Sequence, residues 1–296
     1  MFLIFYFIIT IVLLLIFIVK DYYKIDNFNN NIEIKNYDKN SKENIRFAFI
    51  TTSYNTQQFI IKNLDSIRKQ LYKNFIIFYV NDCSTDNSLN ILNNYKHKYP
   101  ELNIHLITNS KRMGPAYSRY IAYQNTLDDD ICVFLDGDDF LYHNNVLHIL
   151  YNCYNKYNIY ATFGSYDDIR NKEISYNKYN NEMRFNQSMT RSNKNIYYPH
   201  LRTAVAKYVK MVPESYLKFN NQEWFLFCSD VALFMPLLEL INNKFIYIKN
   251  RLMLYNRYNS ENNILDGFKA QNNDNKIKRN QYKYYIYSQK KLVSPV

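Results

Sequence analysis

The stretch CVFLDGDDF, residues 132–140, closes an apolar run with three carboxylates in four positions: Asp136, Asp138 and Asp139. Alone in a shared site these groups would repel one another and hold on to protons. Oxygen ligands at this spacing suit a hard divalent cation, Mg²⁺ or Mn²⁺, which keeps open positions and bridges to substrate phosphates. Between the carboxylates and a diphosphate, such a cation would also stabilise negative charge on a departing nucleotide. The competing reading is a polar turn whose aspartates cap the next helix, near HNNVL at 143–147.

The elements that must position these residues alternate. Buried strands are expected at 45–52 (IRFAFITT), 74–82 (NFIIFYVND), 103–108 (NIHLIT) and 130–136 (DICVFLD). Between them, apolar residues at helical spacing predict helices over 57–71, 85–98 and 114–127. This order implies an α/β fold with a mostly parallel, Rossmann-like sheet and right-handed crossovers, in which ligands bind at the carboxyl ends of strands. The polar clusters TTSYN, NDCSTD, TNSKRMG and DGDD each follow one of the four strands, so all four fall at one edge. A fifth strand is expected at 160–166. Residues 167–196 lose periodicity and read as an excursion near the site. A helix is expected at 228–243, with Pro236 kinking it or marking a start within it.

Hydrophobic content of 47% over 296 residues excludes a disordered chain. The net charge of +11 suits acidic partners such as nucleotide phosphates or anionic lipid, and no long basic block points to nucleic acid. The 31 tyrosines beside 4 glycines look like a coding bias, so tyrosine and asparagine are discounted as functional signals. Cys83, Cys132, Cys153 and Cys228 show no metal spacing and are expected as buried reduced thiols. An apolar run from Phe2 to Val19 predicts one transmembrane helix within residues 1–20, followed by a polar linker over 21–44. Lysines follow the span and none precedes it, so the catalytic part is expected on the cytosolic side of a single-pass anchor. The basic, aromatic end, 263–296, reads as a solvated helix or tail and secondly as a contact with anionic membrane.

Residues 47–88, NSKRMGPAYSRYIA (109–122) and CVFLDGDD (132–139) resemble family-2 glycosyltransferases with the GT-A fold of nucleotide-diphospho-sugar transferases. The likeness is close from 45 to 165 and looser at HLRTAV (200–205) and SDVALFMPLLEL (229–240). It implies a nucleotide-sugar half over 45–165 and an acceptor half over 166–262. It also implies a UDP- or GDP-linked sugar as donor, a divalent metal, and a glycan, protein or lipid-linked acceptor. By this resemblance Thr51, Thr52, Ser53 and Tyr54 line the nucleotide pocket, and Asp82 bonds the base or ribose. Asn81 and Cys83 depart from the family, which has a second acidic residue and glycine there. That leaves a second reading open: a catalytically inactive nucleotide- or glycan-binding module on the same fold. Asp86 either caps the following helix or touches ligand. Gly114 allows close backbone approach, and Arg119 neutralises phosphate or carboxylate charge or makes an ordinary ion pair. Asp136 and Asp138 match the acidic DXD pair: Asp136 faces the ribose or sugar, Asp138 ligates the metal, and Asp139 is an added third carboxylate. The base of an inverting transfer falls on Asp230, whose other reading is a helix N-cap, with Glu223 in reserve. His200 and Arg202 are placed to reach acceptor or diphosphate. The sole tryptophan, Trp224, lies outside any QXXRW segment, which implies a non-processive enzyme adding one sugar.

Overall fold

The computed structural model describes residues 44–168, 174–175, 200–242, 244–256 and 273–295. The expected anchor, nearly all of its linker and most of 167–196 lie outside the described residues. Among the described residues no helix is long and apolar enough to cross a membrane.

Four strands form the first half: β1 (Phe47–Ser53), β2 (Phe75–Asn81), β3 (Ile104–Thr108) and β4 (Ile131–Phe134). They pair in parallel in the order β3-β2-β1-β4. Helices α1 (Ile60–Arg68), α2 (Ser88–Lys98) and α3 (Pro115–Gln124) make the crossovers, close to their expected positions. After β4 come β5 (Phe140–Leu141), α4 (Val146–Lys156), β6 (Ala161–Asp168), β7 (Ile174–Ser175), β8 (Arg202–Val205) and α5 (Ala206–Lys210). A 3₁₀ turn (Glu214–Leu217) leads to a small hairpin, β9 (Lys218–Phe219) and β10 (Glu223–Trp224). Helix α6 (Ser229–Leu240), strand β11 (Phe245–Tyr255) and helix α7 (Asn273–Ser288) follow.

The sheet is mixed, which corrects the expectation of a mostly parallel one. Its order continues β4-β8-β6-β11-β5, with β7 on β6. β8 runs antiparallel to both β4 and β6, and β5 is antiparallel to β11. The fifth expected strand, β6, therefore points the same way as β4 without touching it. Strand β11 was not expected, although FIYI and LMLY are strand-forming in composition.

Alternation along β1 sends Phe47 and Phe49 to one core and Ala48 and Ile50 to the other. Helices α1, α2 and α4 cover the first face; α3, α5, α6 and α7 cover the second. Helix α6 runs through Pro236, which is buried, rather than starting at it. The C-terminal segment is also part of the core: Tyr282 and Ile286 are fully buried, and Tyr282 packs against Phe219, Phe225 and Phe227. Beyond α7, Leu292 donates its amide to Glu239 and Ser294 its hydroxyl to the Leu240 carbonyl. A wholly solvated tail is thus corrected to a docked helix. All four cysteines are free, and only Cys132 is fully buried.

Candidate active site

Parallel pairing brings the carboxyl ends of β1, β2, β3 and β4 to one edge, and their loops are stitched together. Asn55 accepts from the Thr85 amide at 2.9 Å, and its own amide donates to Ser84 at 3.0 Å. Asp86 accepts from the Ser88 and Gln57 amides at 3.0 and 3.1 Å, so it holds the start of α2 against the β1 loop. It stands one residue before the N-cap position, Asn87, and its bonds join the two loops.

Asp82 is buried, and both its oxygens serve the β3–α3 loop. It accepts from Asn109 at 2.6 Å and from the Met113 and Gly114 amides at 2.8 Å each. In this geometry it shapes the loop that opens α3. Gly114 sits at φ +86°, where a side chain is strained, and an added Cβ would strike Leu226. Tyr54 lies under the Arg112 guanidinium, 3.8 Å from ring centroid to cation. Thr51, expected to line the pocket, is instead fully buried within β1. Thr52 and Ser53 are also almost covered, yet the Thr52 hydroxyl donates to Asp136 at 3.4 Å.

The antiparallel entry of β8 does what a parallel strand could not. Its first residue, Arg202, lies opposite Phe134 at the carboxyl end of β4, so His200 and Arg202 arrive at the same edge. The first turn of α6 brings Ser229 and Asp230 there as well. A chain of contacts results. Arg119, from α3, donates to Asp136 at 2.6 Å and to the Ser229 hydroxyl. Next along α6, Asp230 accepts from Arg202 at 2.8 Å, and Arg202 faces His200 Nδ1 at 3.4 Å. Arg202 is 3% exposed at the side chain, whereas Asp136 and Asp230 keep 29% and 33%. The arginines are buried and the carboxylates look outward.

The charges follow this arrangement. Burial alone would raise the Asp230 carboxyl, but Arg202 and Arg119 outweigh it and bring it down to about 2. Burial likewise opposes ionisation of Asp136, and Arg119 leaves it below the ordinary carboxylate range. His200 is lowered to about 3 by burial and then by Arg202, so its imidazole is neutral. Facing a guanidinium donor, Nδ1 accepts and the proton is assigned to Nε2. His200 stacks on Tyr255 with centroids 5.5 Å apart, and Tyr166 closes the cluster edge-on. Ser229, Tyr166 and Tyr255 were missed in the sequence, the tyrosines because their abundance hid them. Glu223 is held elsewhere: Lys278 and Tyr282 of α7 donate to it at 2.6 and 2.9 Å.

Gly137 separates the DXD pair and presses on the end of β1. Its amide donates to the Thr52 carbonyl at 3.0 Å, and an added Cβ would lie 2.7 Å from the Ser53 Cβ. Gly137→Ala is therefore expected to lower stability by about 1–3 kcal/mol through overpacking and to displace the carboxylates beside it. Denaturant unfolding alongside nucleotide binding checks both effects.

The carboxylates suit a cation. Asp139 is buried, accepts from the Asn256 amide at 2.8 Å on one oxygen, and has no hydrogen-bond partner for the other. Burial, then Asp138 and Asp136, raise its carboxyl well above the usual range. Such crowding of negative charge is what a bound cation relieves. Among the described residues no three side chains form a ready-made metal cluster. Mg²⁺ and Mn²⁺ commonly take only one or two protein carboxylates and complete their shell with phosphates and water, so the residues present fit.

Residues 48–212, more than half of the 296-residue chain, match the Glycosyl transferase family 2 model. The chain belongs to glycosyltransferase family 2. Over 99 residues it is 32% identical to poly(ribitol-phosphate) beta-N-acetylglucosaminyltransferase TarS of Staphylococcus aureus, covering 33% of this chain and 17% of that protein. Over 119 residues it is 30% identical to an uncharacterized glycosyltransferase of Haemophilus influenzae, covering 40% and 46%. The family-2 chain thus spans less than half the length of these relatives. The structure of S. aureus TarS 1–349 with UDP-GlcNAc has a TM-score of 0.55 at 19% identity, over 72% of this chain and 58% of that one. That likeness establishes the shared GT-A fold.

Proposed function

We propose that the chain transfers a single sugar from a nucleotide-diphosphate sugar, UDP- or GDP-linked, to a glycan, protein or lipid-linked acceptor, with inversion and with Mn²⁺ or Mg²⁺. The observation that carries this reading is the pair of outward-looking carboxylates, Asp136 and Asp230, each backed by a buried arginine at one sheet edge. Support also comes from the family membership and from TarS, whose structure with UDP-GlcNAc shares the fold.

In this mechanism Asp138, with Asp136, holds the cation, which supplies positive charge to the diphosphate when bound. Asp230 accepts the proton of the acceptor hydroxyl as its oxygen bonds to the anomeric carbon. The bond from that carbon to the diphosphate oxygen breaks on the opposite face, and the nucleoside diphosphate leaves with the electron pair. A carboxylate lowered to about 2 is a weak base at rest. It suffices because the hydroxyl becomes strongly acidic once its oxygen has begun to bond to carbon. Arg202 and Arg119 keep Asp230 ionised and in place. In the full reading, residues 2–19 anchor the protein in a membrane with the catalytic part on the cytosolic side.

The test takes the full chain in detergent and screens UDP- and GDP-sugars for slow donor hydrolysis, with Mn²⁺ and with chelator. Cation-dependent release of sugar from one donor is the expected result. Silence from every donor, with no nucleoside diphosphate bound, overturns the reading.

A further inference from the structure

The buried face of α1 is apolar at Ile60, Leu64 and Ile67 and polar at Asn63. Ser66 stands at i+3 on the same helix, and Gln70 follows at i+7, just past its end. Asn63 and Gln70 are completely buried. None of the three is used in the mechanism above, and all three bond to the backbone of the segment that begins with the DXD pair.

Asn63 Nδ2 donates to the carbonyls of Asp136 at 3.0 Å and Asp139 at 2.7 Å, bracketing the DGDD loop. Two carbonyl acceptors require a donor, so the orientation of the amide follows from the contacts. Its own oxygen, Oδ1, is buried with no hydrogen-bond partner. Ser66 accepts from the Leu141 amide at 3.0 Å. Gln70 donates to the His143 carbonyl at 2.8 Å and accepts from the Leu147 amide at 3.1 Å. Helix α1 and the residue just past its end therefore hold residues 136–147 at five backbone points.

We propose that Asn63 is a positioning residue for donor binding: by holding the Asp136 and Asp139 carbonyls it fixes the direction in which Asp136 and Asp138 present their carboxylates. This rests on the reading that those carboxylates meet the donor. Packing alone does not account for the residue. An apolar side chain of similar size would fill the space without stranding an amide oxygen, whereas only a two-proton donor can join both ends of the loop. Gly137, between the tethered ends, packs on the end of β1, so the loop is held by β1 as well as by Asn63.

The test compares Asn63→Leu with Leu64→Ala in the full chain. Leu64 is a fully buried neighbour on the same helix, and its truncation destabilises α1 while leaving the two Asn63 bonds to the loop in place. Hydrogen exchange is read over 136–140, and the affinity for UDP and GDP with Mn²⁺ is measured by calorimetry. Asn63→Leu is expected to speed exchange over 136–140 and to weaken nucleotide binding about 10- to 100-fold, the usual range for a supporting residue of a metal site. Leu64→Ala is expected to lower the melting temperature at least as far and to leave nucleotide affinity within about twofold. Unchanged exchange over 136–140 in Asn63→Leu overturns the proposal, as does an equal loss of affinity in the two variants. Failure of the unmodified chain to bind either nucleotide overturns the donor reading itself. Faster exchange in Asn63→Leu would then keep only the loop-holding role, and the link to donor binding falls with the donor reading.

Discussion

Asp230→Asn is expected to cut sugar transfer by about 100- to 10,000-fold, the range a general base contributes, while nucleotide binding stays intact. The asparagine oxygen can still accept from Arg202, so the fold changes little. The lost property is the ability to take a proton. Asp230→Ala separates the two roles, because it leaves Arg202 buried without its carboxylate. A loss of about 3 kcal/mol is expected there, the lower end for a stranded buried charge, since Asp230 itself is a third exposed. The pH dependence has a definite sign. The folded carboxyl, at about 2, lies below the ordinary unfolded value of about 3.9, so its stabilising contribution is complete above the unfolded value. It is lost as pH falls from about 4 towards 2. No acidic limb of the rate profile above pH 5 should arise from this group. Steady-state rates across pH, with urea unfolding of both variants, read these outcomes. Transfer by Asp230→Asn at the unmodified rate would remove Asp230 from the mechanism.

The second large effect is expected at Asp138. Asp138→Ala should weaken cation-dependent nucleotide binding by at least about 100-fold, beyond what the loss of a mere supporting residue costs. Asp138 is also one of the two carboxylates that raise Asp139, so its removal should bring the Asp139 carboxyl back towards the ordinary range. Calorimetry of UDP and GDP with Mn²⁺ or chelator measures the loss of binding. Unaltered cation-dependent binding in Asp138→Ala would end the metal reading of DGDD.

Much of the first half was legible in the sequence because each strand, polar loop and helix there is a local unit. Phe47–Ser53 or Phe75–Asn81 can be read from their own residues, and parallel order then places Asp82 and Asp136 at one edge. The second half depends on pairings over long separations. Nothing within RTAV says that it will run antiparallel between β4 and β6, although that direction is what delivers Arg202 to Asp230. Asn63 and Gln70 were invisible for a different reason. A polar residue at helical spacing reads as solvent-facing until the loop it serves is in view. At the C-terminus, the lysines of α7 masked Tyr282 and Ile286, whose i, i+4 spacing was the signal of a buried stripe.

The place of β8 also sets an order on synthesis. β4 ends at residue 134 and β8 begins at 202, so the strand that covers the β4 edge is made about 70 residues later. At about 5–20 residues per second, that is roughly 3–14 s of translation. During it the nascent chain carries a parallel sheet whose newest edge has no neighbour, the kind of edge that recruits strands from other chains. Closure then comes from a strand running the opposite way, and the last helix seals the face behind it. A product ending before residue 202 leaves that edge bare for good. The segment 45–165 is thus a set of strand–helix units whose β4 edge is covered, among the described residues, by a strand encoded downstream of it.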